Sequence, residues 1–275
     1  MGERAVGRAA DDMGAIGSDI LERLVRRVPV EAPVAVVVAH PDDETIGAGA
    51  LLYLFQKLLL VHVTDGAPRN LSDARAAGFS SAADYAAARR GELAAALRAG
   101  GVVPEEIAEL GAPDQGASFA MPGLAGTLAE LLAGHQAAAV LTHPYEGGHP
   151  DHDATTLIVH LAGQRQKRRP EILEMPFYHA GEGGLVSSRF LGDGAAVEIV
   201  LSPEECERKR AMIAAFATQR ATLAQFRVDK ESFRAAPTYD FLQPPHAGRL
   251  HYEWYDWGIA GPEWRELARK ALAGA

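Results

Sequence analysis

Short apolar runs alternate along this chain with stretches of helical spacing. The runs 33–39, 58–64, 107–110, 137–142, 171–178 and 196–201 have the length and β-branched content of strands, and the first, Pro33-Val34-Ala35-Val36-Val37-Val38-Ala39, contains no polar position. An unbroken run of this kind predicts a strand covered on both faces. The stretches 45–56, 82–99, 123–134 and 154–166 between the runs carry helical spacing. Ser18 is placed to cap a short amphipathic helix ending near Arg27. Ser202-Pro203-Glu204-Glu205 has the cap, the N1 proline and the acidic first turn of a helix, expected to reach about Phe226. The repeated order of strand and helix predicts a doubly wound α/β fold with a mostly parallel sheet, helices on both faces and the active site at the carboxyl ends of the strands.

From Asp229 onward the pattern changes. Pro237, Pro244 and Pro245 interrupt it, the aromatic segment His251-Tyr252-Glu253-Trp254-Tyr255-Asp256-Trp257 follows, and an amphipathic helix over 262–272 closes the chain. Such a ring-rich segment cannot all face water cheaply. The expectation is one domain over 1–275, in which 229–275 is an aromatic-rich extension folded back near the cleft with Trp254 or Trp257 mostly buried. The rings either pack against the body or wall a sugar-binding cleft, since sugars lay their apolar faces on aromatic rings.

Composition narrows the function. With 275 residues, 48% of them hydrophobic, and no Pro/Gly/Ser-rich linker, the chain can bury one large core. The 27 basic and 36 acidic residues give a net charge of −9 with no basic stripe, which disfavours sequence-independent binding to nucleic acid, since that rests on phosphate neutralisation. A single cysteine, Cys206, cannot form an intramolecular disulfide. Asp11, Asp12, Asp19 and Glu22 interrupt every apolar candidate near the N-terminus, and no run approaches membrane length, so a cytoplasmic protein without a membrane span is expected.

The chemistry gathers at two strand ends. His40-Pro41-Asp42-Asp43-Glu44 directly follows the first strand, and His143-Pro144-Tyr145-Glu146-Gly147-Gly148-His149-Pro150-Asp151-His152-Asp153 directly follows the run 137–142. His40 and Asp43, at i and i+3, can turn toward a single cation, leaving Asp42 free to handle a proton. With one of the later histidines, the set becomes two imidazoles and one carboxylate. That combination suits a catalytic zinc with one position left for water.

These two segments resemble the paired signatures of the PIG-L/LmbE-like zinc-dependent N-deacetylases, which remove acyl groups, usually acetyl, from amino sugars. The resemblance extends in weaker form to Val63-Thr64-Asp65-Gly66-Ala67, to Arg89-Arg90-Gly91-Glu92-Leu93 and to Leu110-Gly111-Ala112-Pro113-Asp114. It implies a Rossmann-like fold and a bound Zn2+, or another divalent metal, held by His40, Asp43 and His152. It further implies Asp42 as general base, His149 as a second catalytic group, and Asp151 as the carboxylate that keeps the His149 imidazole charged. Arg69 and Asp114 match positions that contact the sugar. Tyr145 is the third substrate-contact candidate and departs from the pattern: the mobile tyrosine of the thiol-pathway deacetylases lies two residues before the second-motif histidine, where this chain has Gly147 and Tyr145 lies four before. The implied partner is a small amino-sugar or glycoconjugate substrate, and a homo-oligomer is compatible with it.

Rival readings are weaker. Gly47-Ala48-Gly49 suggests a dinucleotide turn, but no small residue follows at the needed spacing and the neighbouring carboxylates would repel a pyrophosphate. A sugar-binding module without catalysis, or an amidase for a non-sugar amide, would share the fold. Glu44 and Asp65 read as structural, capping helices or pairing with arginines.

Overall fold

The structure is a computed structural model and describes residues 14–192 and 194–274, so Asp11 and Asp12 lie outside it. In chain order the elements are α1 Ala15–Arg26, β1 Val34–Val38, α2 Asp43–Ala48, β2 Leu58–Thr64, α3 Ser72–Ala76, α4 Ala82–Gly100, β3 Glu106–Ala112, α5 Met121–His135, β4 Ala139–Thr142, α6 Pro150–Gln164 and β5 Glu171–Glu174. They are followed by β6 Tyr178–Gly181, β7 Gly184–Ser187, β8 Val197–Val200, α7 Pro203–Ala215, α8 Arg220–Leu223, β9 Lys230–Ala235 and α9 Gly261–Ala273. Seven strands form one sheet in the order β3-β2-β1-β4-β5-β9-β8. The pairs among β1 to β5 are parallel and those made by β9 are antiparallel.

Side-chain alternation along the central strands feeds two cores. Val34, Val36 and Val38 face a layer holding Ile20 and Leu24 of α1, Leu97 of α4 and Met212 of α7. Ala35 and Val37 face Leu128 of α5, Ile158 of α6 and Trp264 of α9. Every residue of β1 is buried, as its unbroken apolar run predicts.

The departures from expectation have tertiary causes. The helix expected over 45–56 stops at Ala48 and gives way to a turn of 3-10 helix, Leu52–Leu54. The buried Lys209 ammonium donates to Ile46 O at 2.7 Å and to Glu231 Oε1 at 2.8 Å, while Glu231 Oε1 also accepts from Ala50 N–H at 2.9 Å. That ion pair supplies the partners that a continuing helix would have supplied itself. The run 171–178 divides between β5 and the separate β6–β7 hairpin. The helix from Pro203 ends at Ala215 rather than near Phe226, and α8 follows after a short turn.

The strand β9 was hidden in what reads as the start of the extension. Its buried positions include Glu231, Ser232 and Arg234, so no apolar alternation marks it. Each charge is matched instead, Glu231 by Lys209 and Arg234 by Glu174 at 2.8 Å. The rest of the tail packs on the body, but through other rings than expected. Trp254 is 37% exposed and Trp257 half-buried, whereas Tyr252 and Trp264 are buried.

Candidate active site

Strand order reverses at β1: β2 and β3 lie on one side of it, β4 and β5 on the other. A crevice opens at such a reversal beyond the carboxyl ends of the strands, and both motif-bearing turns project into it. The turn after β1 holds Asp42 at φ 137°, a conformation that side chains rarely adopt. Glu44, fully buried beneath it, accepts from Asp42 N–H at 3.0 Å and from Thr45 Oγ1 at 2.6 Å, and meets His62 Nε2 at 3.1 Å. Arg89, buried on α4, clamps the same turn. Its Nη2 donates to Pro41 O at 2.6 Å and to Asp42 Oδ2 at 2.8 Å, and its Nη1 to Gly66 O at 2.8 Å. A Cβ at Gly66 would lie 2.9 Å from that guanidinium, so the close approach requires glycine. Burial pushes the Asp42 carboxyl well above the usual carboxylate range; Arg89 opposes this rise and the neighbouring Asp43 adds to it.

His40, Asp43 and His152 come together with one potential ligand atom from each within 4.8 Å of the others. His40 Nδ1 is 3.3 Å from Asp43 Oδ2, and His152 Nε2 is 3.5 Å from Asp43 Oδ1. The far nitrogen of His40 faces Asp114 Oδ1 at 3.2 Å and Asp151 Oδ2 at 3.4 Å. Two carboxylates thus stand near Nε2, which is buried without a well-formed hydrogen bond, and Nδ1 lies on the side of Asp43, where an imidazole would take up a metal. Burial disfavours charge on His40, yet Asp114, Asp151 and Asp43 overcome it and raise its pKa well above the usual histidine value. The pocket thus has the field of a cation site, and its donor set suits a divalent metal. His143 lies behind the ligands, stacked on His152 with ring centroids 4.0 Å apart and its Nε2 accepting from Ala39 N–H at 2.9 Å. Burial and the neighbouring His152 push its pKa down to about 3.

His149 begins α6, and its Nδ1 accepts from Asp151 N–H at 3.1 Å. Accepting that bond leaves the ring proton on Nε2, so the imidazole is a neutral donor. Burial first, then the nearby His40, pushes its pKa well below the usual value. This corrects the expected role of Asp151. The Asp151 carboxylate lies 3.9 Å from His149 Nδ1, accepts from Gln115 N–H at 2.6 Å and Ala117 N–H at 3.0 Å, and turns to His40. Asp114 stands between the two histidines, 3.8 Å from His149 Nε2, and His40 lowers its pKa against the effect of burial.

These groups border a cavity of about 350 Å³ that also includes Tyr178, Phe226, Tyr255 and Trp257. The indole of Trp257 lies 4.6 Å from the His149 ring and stacks on Tyr255. The second turn is held by the tail: His251 N–H donates to Gly147 O at 2.9 Å and Trp264 Nε1 to Pro150 O at 3.1 Å. A Cβ at Gly148 would meet Tyr178 O at 2.0 Å, so only glycine passes there.

Two residues singled out in the sequence stand elsewhere. Arg69 is exposed and pairs with Asp65 at 2.6 Å, outside the cavity lining. Tyr145 is buried in the second core, stacked on Trp264 and donating to Gln243 O at 2.9 Å. A tyrosine flanked by apolar partners and committed to a backbone carbonyl packs instead of reaching the site. The structure adds Arg89, His143, Gln115 and Tyr178. Arg89 carried a signal in the weaker motif Arg89-Arg90-Gly91-Glu92-Leu93 and His143 in the segment that follows the run 137–142, whereas Gln115 and Tyr178 were not marked.

Residues 35–162 match the family model described as PIG-L: GlcNAc-PI de-N-acetylase. No curated protein matches the chain. Among solved structures, the zinc-inhibited form of teicoplanin deacetylase Orf2 is similar, with TM-score 0.56 and 15% identity over 74% of this chain and 97% of that one. The A40926 pseudoaglycone deacetylase Dbv21 has TM-score 0.56 and 20% identity over 76% of this chain and 100% of that one. The conserved protein TT1542 from Thermus thermophilus has TM-score 0.52 and 19% identity over 76% of this chain and 97% of that one. At these identities the likeness is one of fold.

Proposed function

We propose, for a chain that belongs to the PIG-L family over residues 35–162, metal-dependent hydrolysis of the N-acyl group, acetyl in the first instance, of an amino sugar or glycoconjugate. One observation carries the reading. A clamped carboxylate, Asp42, and a neutral imidazole donor, His149, border the same cavity as the group His40, Asp43 and His152.

These three residues would hold the cation, and two imidazoles with one carboxylate favour zinc. Bound there, it would polarise the acyl oxygen and acidify a water. Arg89 occupies Asp42 Oδ2, which leaves Oδ1 to take the proton of the attacking water. As the C–N bond breaks, Asp42 returns that proton to the departing nitrogen, and the product is a free amine. His149 Nε2–H donates to the acyl oxygen while negative charge builds there. Asp114 and Asp151 orient His40, and Trp257 with Tyr255 offers a flat apolar surface to a sugar ring. No described helix is long and apolar enough to cross a membrane. A cytoplasmic setting is proposed on the lone Cys206.

The test is to load the protein with zinc, supply an N-acetylated amino sugar, and measure free amine and acetate. Equal release of both, lost with a chelator and restored by zinc, is expected. Binding of sugars without release would favour a non-catalytic module, and release only from non-sugar amides would favour a different amidase.

A further inference from the structure

Tyr178 opens β6 and borders the reaction cavity half-buried, yet its hydroxyl makes no hydrogen bond among the described residues. Other withdrawn tyrosines use theirs: Tyr145 donates to Gln243 O at 2.9 Å, Tyr239 donates to Glu174 Oε1 at 2.7 Å, and Tyr85 accepts from Gln219 Nε2 at 2.6 Å. A phenol taken out of bulk water usually finds such a partner. The Tyr178 ring is nonetheless held firmly, with centroids 5.3 Å from His152, 5.2 Å from His251 and 6.0 Å from Phe226. Its backbone is fixed as well, since β6 pairs with β7 and the Tyr178 carbonyl closes on Gly148, the residue before His149. A rigid ring with an unspent hydroxyl thus faces the place where substrate must sit.

The hydroxyl lies in the field of every carboxylate of the site. Burial first, then Asp43, Asp114, Asp42 and Asp151, hold the phenol pKa well above its ordinary value, so the group is a neutral donor. Those four carboxylates have other partners: Asp42 is clamped by Arg89, Asp43 meets His40 and His152, and Asp114 and Asp151 meet His40. Position then separates the two oxygens a donor could serve. The flat surface for a sugar lies at Tyr255 and Trp257, whose indole is 4.6 Å from His149, whereas Tyr178 packs against the ligand His152 itself. His149 and Tyr178 lie beside that ligand at 5.4 and 5.3 Å between ring centroids. Resting on the hydrolysis proposed above, we infer that Tyr178 is a further catalytic residue, whose hydroxyl donates to the acyl oxygen together with His149 Nε2–H while that oxygen carries negative charge. The phenol keeps its proton throughout. Its bond strengthens as the tetrahedral centre forms and weakens again when the C–N bond breaks, and the protons that move are those carried by Asp42.

The test removes that hydroxyl alone. In the zinc-loaded protein, Tyr178→Phe should lower kcat for N-acetylglucosamine about 10²-fold, the scale of one lost oxyanion donor, with KM, zinc content and melting temperature near those of the wild type. A second measurement needs no turnover. Calorimetric binding of glucosamine N-methylphosphonamidate, whose tetrahedral anionic phosphoryl group imitates the charged centre, should weaken about 10²-fold in the variant, while binding of N-acetylglucosamine changes about twofold or less. An unchanged kcat overturns the role. A rise in KM alone, or equal weakening of both ligands, also overturns it and makes Tyr178 a contact of the sugar, and a fall in melting temperature that accounts for the lost rate leaves it a packing role. If the wild type releases no amine, the proposed reaction fails by itself, and the phosphonamidate decides the donor: equal binding by wild type and variant overturns it.

Discussion

The turn after β1 is closed by its own side chains and by one arginine, whereas the turn after β4 depends on the C-terminal segment. In the first, Glu44 and Arg89 fix Asp42, and His40 and Asp43 follow from the same short stretch. In the second, Asp153 Oδ1 accepts from Glu146 N–H at 3.2 Å and Gly147 N–H at 3.0 Å, and His251 and Trp264 brace the remaining backbone. In the proposed reaction the compact turn carries the groups that must stay in register for proton transfer. The long turn brings His149 and His152 to it and meets the part of the chain that touches a substrate's outer face.

The strongest way to break this comparison is at Asp42. Asp42→Ala should reduce deacetylation about 10²-fold or more while metal stoichiometry stays near that of the wild type, the usual scale for a lost general base. Asp43→Ala should lose the metal as well. Equal metal loss in both, measured by elemental analysis, would mean that ligand and base have been exchanged in this assignment.

Next comes Arg89→Leu, with an expected fall of about tenfold in kcat/KM and a changed pH profile. Arg89 lowers the Asp42 pKa against burial, so its removal raises that pKa further. Because the base must be ionised, the acid limb of kcat/KM should move to higher pH. A fall in rate with the limb unmoved would leave Arg89 a packing role only.

The second turn responds in stability. Burial raises the Asp153 pKa from 3.8 to about 8, with its two backbone hydrogen bonds opposing the rise. A carboxyl raised in this sense stabilises the fold fully below the unfolded value and loses that contribution as pH rises from 3.8 toward about 8. Asp153→Asn should therefore flatten the decline of melting temperature over this window, while Asp153→Ala, which frees two buried N–H groups, should cost about 1–3 kcal/mol. Smaller still is Trp257→Ala, for which KM should rise about threefold with kcat and metal content little changed. A loss of metal in that variant would show the tail to be part of the centre's support.

Legibility in the sequence follows the same division. The parallel core could be read because β1, β2 and β4 are buried at every position, and burial on both faces leaves a nearly unbroken apolar run. Short spacings at two strand ends pointed to His40, Asp43 and one of the later histidines, and the resemblance alone singled out His152 among them. β9 escaped because Glu231 and Arg234 are buried as members of ion pairs, and a paired charge looks like a surface residue in sequence. Asp151 was paired with His149 by adjacency and Tyr145 was placed at the substrate by resemblance, but His40 and Gln243, distant in sequence, are the partners the fold brings. Among the tail rings, the choice between Trp254, Trp257 and Trp264 depends on which helix face they meet, and no local pattern records that.

The positive φ of Asp42 sets this residue's evolutionary latitude. Any side chain there bears the steric cost of the conformation, about 1–3 kcal/mol, and glycine alone escapes it. Asp42→Gly and Asp42→Ala both delete the carboxylate, so the difference in their unfolding free energies isolates the backbone, and the glycine variant should be the more stable by about 1 kcal/mol. Equal stabilities would mean that the turn relaxes once the carboxylate is gone. Stability alone would therefore favour glycine at position 42, and under the proposed reaction the strain there is the cost of keeping a proton-transferring carboxylate in place.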